Sequence, residues 1–217
     1  MSAEAPNPGT QPVGASGGGV VAAVATAQPI AKEPGSFRGK GLFFWVFPPL
    51  VALDLWSKQV VFAMLERVAK ERGQAHLPEG HREPWNVFDG SLRFDLVTWG
   101  NKGTIWGLFQ NSTVPLMVVR CCAVVALLWF VRNTARAQKV QQVVIGLVMA
   151  GALGNLYDNF IRDDRSVRDF LYFSGTWPVQ WTFPAFNVAD SCITVGAIGL
   201  FFLLWRDDRK PKQGPVS

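Results

Sequence analysis

Cysteine, histidine and charge are all scarce in this chain of 217 residues. The three cysteines, Cys121, Cys122 and Cys192, lie inside apolar stretches, which excludes a disulfide framework and any metal-ligand spacing. They read as small apolar packing residues. The two histidines, His76 and His81, share one polar stretch with no cysteine beside them, so no metal site is expected. Charged residues make up only 17% of the chain and hydrophobic ones 49%, and the apolar residues are not spread evenly. They gather in runs at 41–65, 114–131, 143–157 and 186–205. A globular helix needs a polar face, whereas about 20 apolar residues let a helix cross a bilayer core of roughly 30 Å. Disordered, collagen-like and ordinary soluble classes are excluded. A nucleic-acid-binding domain is excluded too, because the net charge of +5 finds its explanation in membrane topology.

The expected fold is an α-helical integral membrane protein with four transmembrane helices and a small β-rich subdomain on the outer surface. Residues 1–36, rich in Ala, Gly, Pro and Ser, form a flexible tail in this reading. Residues 20–27 imitate a signal-peptide core but lack a basic flank, so no cleavage is expected there. The membrane domain covers 37–206, with an outer segment at about 66–113, and 207–217 form a second tail. Pro48-Pro49 should kink the first span or mark its effective start. The third span is placed at about 140–159, where Ala150 and Gly154 present small residues four apart for helix packing. Trp45, Trp106, Trp129, Trp181 and Trp205 fall near span ends, as aromatic interface anchors do.

Four spans put both termini on one side. Arg132, Arg136 and Lys139 fill the short connection after the second span, Arg38 and Lys40 precede the first, and Arg206, Arg209, Lys210 and Lys212 follow the last. The positive-inside rule then places both termini in the cytoplasm. In the first outer loop, residues 91–97 alternate polar and apolar side chains, which is the period of a half-buried strand. Residues 101–108 follow, with glycines suited to turns, and a small sheet on the outer membrane surface is expected.

Ionisable residues at membrane depth cost several kcal/mol each unless paired or hydrated, so they carry the functional signal. Asp54 and Lys58 are one helical turn apart and read as a structural ion pair. Asn155 and Asp158 are three apart near the outer end of the third span, and Asn187 and Asp190 repeat that spacing in the fourth. These spans are antiparallel, so both pairs reach one depth, and Asp169 lies in the loop between them. Three carboxylates and two amides converge. On spacing alone, hydrolysis and proton-coupled transport remain equally open.

The words around these residues narrow the choice. Gly-Ala-Leu-Gly-Asn-Leu-Tyr-Asp (151–158), Val-Arg-Asp-Phe (167–170) and Pro-Ala-Phe-Asn-Val-Ala-Asp-Ser (184–191) resemble the type II bacterial lipoprotein signal peptidases. Leu-Asp-Leu-Trp-Ser-Lys (53–58) and Asn-Lys-Gly-Thr-Ile-Trp-Gly-Leu (101–108) are similar to two further blocks of that family, in order. The resemblance spans roughly 41–205 and implies an aspartyl endopeptidase of the bacterial inner membrane. It would cut diacylglyceryl-modified prolipoproteins before the lipidated cysteine, as a monomer among membrane lipids, with no cofactor and no nucleic-acid partner. It implies Asp169 and Asp190 as the catalytic pair and Asn155 and Asn187 as substrate-contacting amides. Asp158 would be a supporting acid, Asn101 and Gly103 part of a loop closing on substrate, and Asp54 and Lys58 the first-span polar pair. Three departures stand out. Asn159 replaces the family's usual Arg, for which Arg162 is the candidate substitute in substrate binding. The stretch from Asp158 to Asp169 is longer than usual, and residues 73–84 look inserted.

Two carboxylates sharing one proton can hydrolyse a peptide unaided. The ionised one takes a proton from water and the protonated one donates to the scissile carbonyl oxygen. A transporter would spread its acids over several depths. A non-catalytic relative would have lost Asp169 or Asp190, and both are present.

Overall fold

In a computed structural model, residues 35–103 and 113–208 are described below. The elements run α1 (Gly41–Glu71), β1 (Trp85–Phe88), β2 (Leu92–Asn101), α2 (Thr113–Asn133), α3 (Lys139–Ile161), β3 (Val167–Gly175), β4 (Trp181–Phe186) and α4 (Val188–Asp208). The four helices are each long and apolar enough to cross a membrane. Their surfaces agree with that reading. Val118, Val119, Val125 and Trp129 on α2, and Val195, Ile198, Phe201, Phe202 and Leu204 on α4, are exposed, a pattern that water would not favour.

The four apolar runs correspond to the four helices, with shifted ends. Pro48 and Pro49 lie inside α1, and the helix continues through them. The fourth helix starts at Val188 rather than 186, because Phe186 ends β4 and Asn187 caps the helix. Most of the apolar stretch of α3 is buried, against less than a fifth of that in each other helix. It is therefore the central helix, packed by α1, α2 and α4. Glycines permit the close approach to α4: a Cβ on Gly199 would stand 2.8 Å from the Val144 side chain. At the opposite end from Asp54, Phe43, Val131, Ile145 and Met149 form a sealed apolar cluster from α1, α2 and α3.

The four strands form one antiparallel sheet in the order β1-β2-β3-β4. The alternation at 91–97 does mark a strand, which extends to Asn101. Half of the sheet comes from the connection between α3 and α4, where β3 and β4 escaped the pattern: β4 (Trp-Thr-Phe-Pro-Ala-Phe) carries a proline, and β3 runs Phe-Leu-Tyr-Phe without alternation. The sheet sets the site. In the β2–β3 register Asp169 faces Trp99 and Val167 faces Asn101, which brings the end of β2 beside Asp169. Residues 1–34 of the expected tail at 1–36, Trp106 with the rest of 104–108, and residues 209–217 lie outside the described residues.

Candidate active site

Asp169 sits near the start of β3 and is buried, with 2% of its surface exposed. Its Oδ2 accepts a hydrogen bond from Asn101 Nδ2 (2.9 Å) and its Oδ1 one from Asn187 Nδ2 (2.7 Å). Asp190 lies in the first turn of α4 and is only half-buried. Its Oδ1 accepts from Asn155 Nδ2 (2.8 Å) and its Oδ2 from the Asn187 backbone N–H (3.2 Å). Asn187 thus touches both carboxylates, one through its side chain and one through its backbone.

The Asn-x-x-Asp spacing at 187–190 has a local cause. Asn187 Oδ1 accepts the Asp190 N–H (2.9 Å) while the Asp190 carboxylate accepts the Asn187 N–H, the reciprocal pattern of a helix capping box. The same four atoms that start α4 hold Asp190 in place. At the equivalent pair on α3, the two side chains diverge although they share a helix face. Asn155 turns to Asp190, whereas Asp158 accepts Arg168 Nε (3.0 Å), Arg168 Nη2 (2.7 Å) and the Arg168 backbone N–H (3.0 Å).

Lys58 organises what lies beneath. Its buried ammonium is 2.7 Å from Asp54 and 3.1 Å from Asp158, and donates to Asn155 Oδ1 (3.1 Å). The Asp54–Lys58 pair expected from the i,i+4 spacing is present but larger than a pair, since Asp54 Oδ1 also accepts the Ala189 N–H at the α4 N-terminus (2.8 Å). This joins α1, α3 and α4. An ammonium and a backbone N–H can only donate, so each fixes the orientation of the amide it touches. Lys58 holds Asn155 Oδ1, the Asp190 N–H holds Asn187 Oδ1, and the Gly103 N–H holds Asn101 Oδ1 (3.0 Å). All three amides are left pointing their NH2 groups at Asp169 or Asp190. Gly103 has φ of +138°, a conformation that side chains resist, so the turn that orients Asn101 needs glycine.

Burial, and then the charge of Asp190, push the Asp169 carboxyl up to about 7, against the pull of the Asn101 and Asn187 hydrogen bonds. The result is one acid able to hold a proton at neutral pH beside a second, more accessible carboxylate. Among the described residues no group of three His, Cys, Asp or Glu side chains is placed to hold a metal ion.

The family model described as signal peptidase (SPase) II matches residues 46–206. The chain belongs to the signal peptidase II family. The lipoprotein signal peptidase of Geobacillus kaustophilus is 29% identical over 160 residues, covering 73% of this chain and 90% of that one. That of Syntrophotalea carbinolica is 42% identical over 117 residues, covering 52% and 70%. In fold, the chain is similar to a bacterial membrane enzyme solved by the in meso method at 2.3 Å resolution, with a TM-score of 0.63 at 24% identity over 85% of this chain and 98% of that one. The protein is thus a multi-pass membrane aspartic peptidase with lipoprotein signal peptidase function.

Within this signal peptidase II, Asp169, Asp190, Asn155, Asn187 and Asn101 meet in one network, with Asp158, Asp54 and Lys58 beneath it. Arg162 does not join them. It ion-pairs with Glu79 (2.7 Å) and Asp164 (3.3 Å) and donates to Ser166 Oγ (3.0 Å), tying the segment at 73–84 to the end of α3. Its placement gives no contact with either carboxylate. Two arginines that sequence reasoning passed over take part instead. Arg168 neutralises Asp158, and its signal was the charge directly before Asp169. Arg120, inside the second apolar run, donates to Asn159.

Proposed function

We propose that Asp169 and Asp190 are the catalytic pair, that Asp158 is structural, and that the substrate is a diacylglyceryl-modified prolipoprotein cut before its lipidated cysteine. The observation that carries this is Asn187, which binds Asp169 through its side chain and Asp190 through its backbone and so fixes the two carboxylates on one centre. Asp158 has its oxygens occupied by Arg168 and Lys58, which leaves it no lone pair suited to taking a proton from water.

Asp190, in the first turn of a helix whose N-terminus favours negative charge, acts as the base toward water. Asp169, which burial keeps protonated near neutrality, donates to the scissile carbonyl oxygen as the tetrahedral intermediate forms, and the pair returns a proton to the leaving amine. Asn155 and Asn187 hold the carboxylates and meet the extended peptide. Asn101 and Gly103 connect the pair to the loop that closes over substrate. With both termini in the cytoplasm, the site lies near the outer face, where acyl chains of the substrate stay in lipid while the peptide reaches the acids. The enzyme works as a monomer and needs no cofactor.

The test is cleavage of a diacylglyceryl prolipoprotein by each single Asp→Asn variant in detergent, with folding checked in parallel. D169N and D190N should each lose at least about a thousandfold in turnover, the scale of an essential acid–base group. If D158N is dead while D169N cuts normally, the pair is Asp158 with Asp190 and the assignment is wrong.

A further inference from the structure

Arg120 is the only charged side chain between residues 114 and 131. Its neighbours Val118 and Val119 are exposed on the lipid-facing surface, yet Arg120 itself is half-buried and turned toward α3. A guanidinium at that depth is costly unless it meets a counter-charge. Among the described residues its hydrogen bond goes to a neutral amide, Asn159 Oδ1. Asn159 is itself locked, since its Nδ2 donates to the Arg165 carbonyl (2.6 Å) just before β3. A neutral partner does not explain a full positive charge. Asn159 follows Asp158 directly and lies one helical turn beyond Asn155, whose amide binds Asp190, so the guanidinium sits at the edge of the cluster formed by Asp190, Asp169 and Asp158.

Of these three, Asp158 is already neutralised by Lys58 and Arg168. Asp169 and Asp190 accept hydrogen bonds only from amide groups among the described residues, so no cation bonds to either directly. Among the described residues, the charged groups around the pair are Lys58 and Asp54 from α1, Arg120 from α2, Asp158 from α3 and Arg168 from β3. Lys58 and Arg168 form their direct ion pairs with Asp54 and Asp158, although the charge of Lys58 also reaches Asp169. Among the described residues, Arg120 is the cation of this group that has no ion pair of its own.

We propose that Arg120, tethered by Asn159, is a positioning residue whose charge sets how readily the Asp169–Asp190 pair holds its shared proton. The inference rests on that pair being catalytic. A nearby cation favours the ionised form of a carboxylate, so removing it makes the pair bind its protons more tightly. Both limbs of the pH profile should then move to higher pH.

The experiment is the pH dependence of kcat/KM for the full chain in detergent, with a synthetic diacylated lipopeptide spanning a signal-peptide cleavage site as substrate. R120Q should displace the acidic limb upward by about one pH unit, and so lower kcat/KM about tenfold at a pH below that limb. R120K keeps the charge and should keep the wild-type profile. R120Q/N159R returns a guanidinium to the tethering position and should restore the limb. A folded R120Q that is slower at every pH but titrates like wild type would overturn the proposal and leave Arg120 a structural anchor. If R120Q does not fold, R120K and R120Q/N159R decide, because a displaced limb in both contradicts a role carried by charge and an undisplaced limb supports it. D169N separates this inference from its premise. Normal cleavage by D169N removes the pair itself, whereas an inactive D169N with an unshifted R120Q removes only the role of Arg120.

Discussion

Replacing Asp169 by Asn should destroy activity and, above neutral pH, make the protein more stable relative to wild type than it is in acid. The sign follows from the raised carboxyl. Asp169 moves from an ordinary 3.8 to about 7 on folding, because burial and the charge of Asp190 disfavour its ionised form. The folded state therefore binds this proton more tightly than the unfolded state, and wild type loses stability as pH rises between those two values. About three pH units at about 1.4 kcal/mol each is about 4 kcal/mol, absent below pH 4 and fully developed above pH 7. Asn carries no such cost at any pH. It brings a different one, since Asn101 and Asn187 both offer N–H donors where Asn has a single oxygen, and a mismatched donor costs about 1–3 kcal/mol. That penalty does not titrate. The difference in Tm between D169N and wild type should rise by ~8–16 °C between pH 4 and pH 8, taking about 2–4 °C per kcal/mol for a chain of this length. Tryptophan fluorescence in detergent reads it directly, with nine tryptophans available. A difference that stays level across that range would refute the placement of Asp169 as a buried acid opposed by Asp190.

Three further outcomes follow from the same network. K58M leaves Asp54 and Asp158 without their shared cation and should cost about 3–5 kcal/mol, seen as a lowered Tm; an unchanged melting curve would mean the buried pair carries no weight. Replacing Asp54 and Lys58 together by Asn and Gln should keep appreciable activity if their charges chiefly satisfy one another, with the loss that remains reporting on Asn155, whose orientation Lys58 fixes. G103V puts a side chain where φ is +138° and frees Asn101, and should raise KM while the helices stay folded; unchanged Michaelis parameters would remove this turn from substrate binding.

The helices and the convergence of the acids were legible because each rests on spacing. Apolar runs near 20 residues give spans, and two Asn-x-x-Asp steps on antiparallel helices reach one depth. What spacing could not reveal was direction. Asn155 and Asp158 share a helix face, yet one serves Asp190 and the other is closed off by Arg168, a difference set by which donors α1 and β3 bring. The second half of the sheet was missed because β3 and β4 are too apolar and too irregular to alternate. Arg120 was missed for an opposite reason: a single charge disappears when a run is judged by its mean hydropathy, although a lone intramembrane charge is the costliest residue in it.

The arrangement explains why such a charged centre can persist in an apolar fold. Buried carboxylates repel one another and favour protonation, and a site made only of acids would settle into neutral, inert hydrogen-bonded pairs. Here the acids are set apart by their partners. Asp54 and Asp158 meet Lys58 and Arg168 directly, whereas among the described residues Asp169 and Asp190 receive only amide N–H groups, whose orientation three donor-only neighbours enforce. Amides steady a carboxylate without quenching it, so the pair keeps both its geometry and its appetite for a proton. Exchanging these partners is the decisive perturbation. N187D would replace the shared N–H donor with a third carboxylate beside Asp169 and undo the capping box at once, and it should remove activity more completely than N187A. Equal activities for the two variants would show that the amide at 187 acts by shape alone.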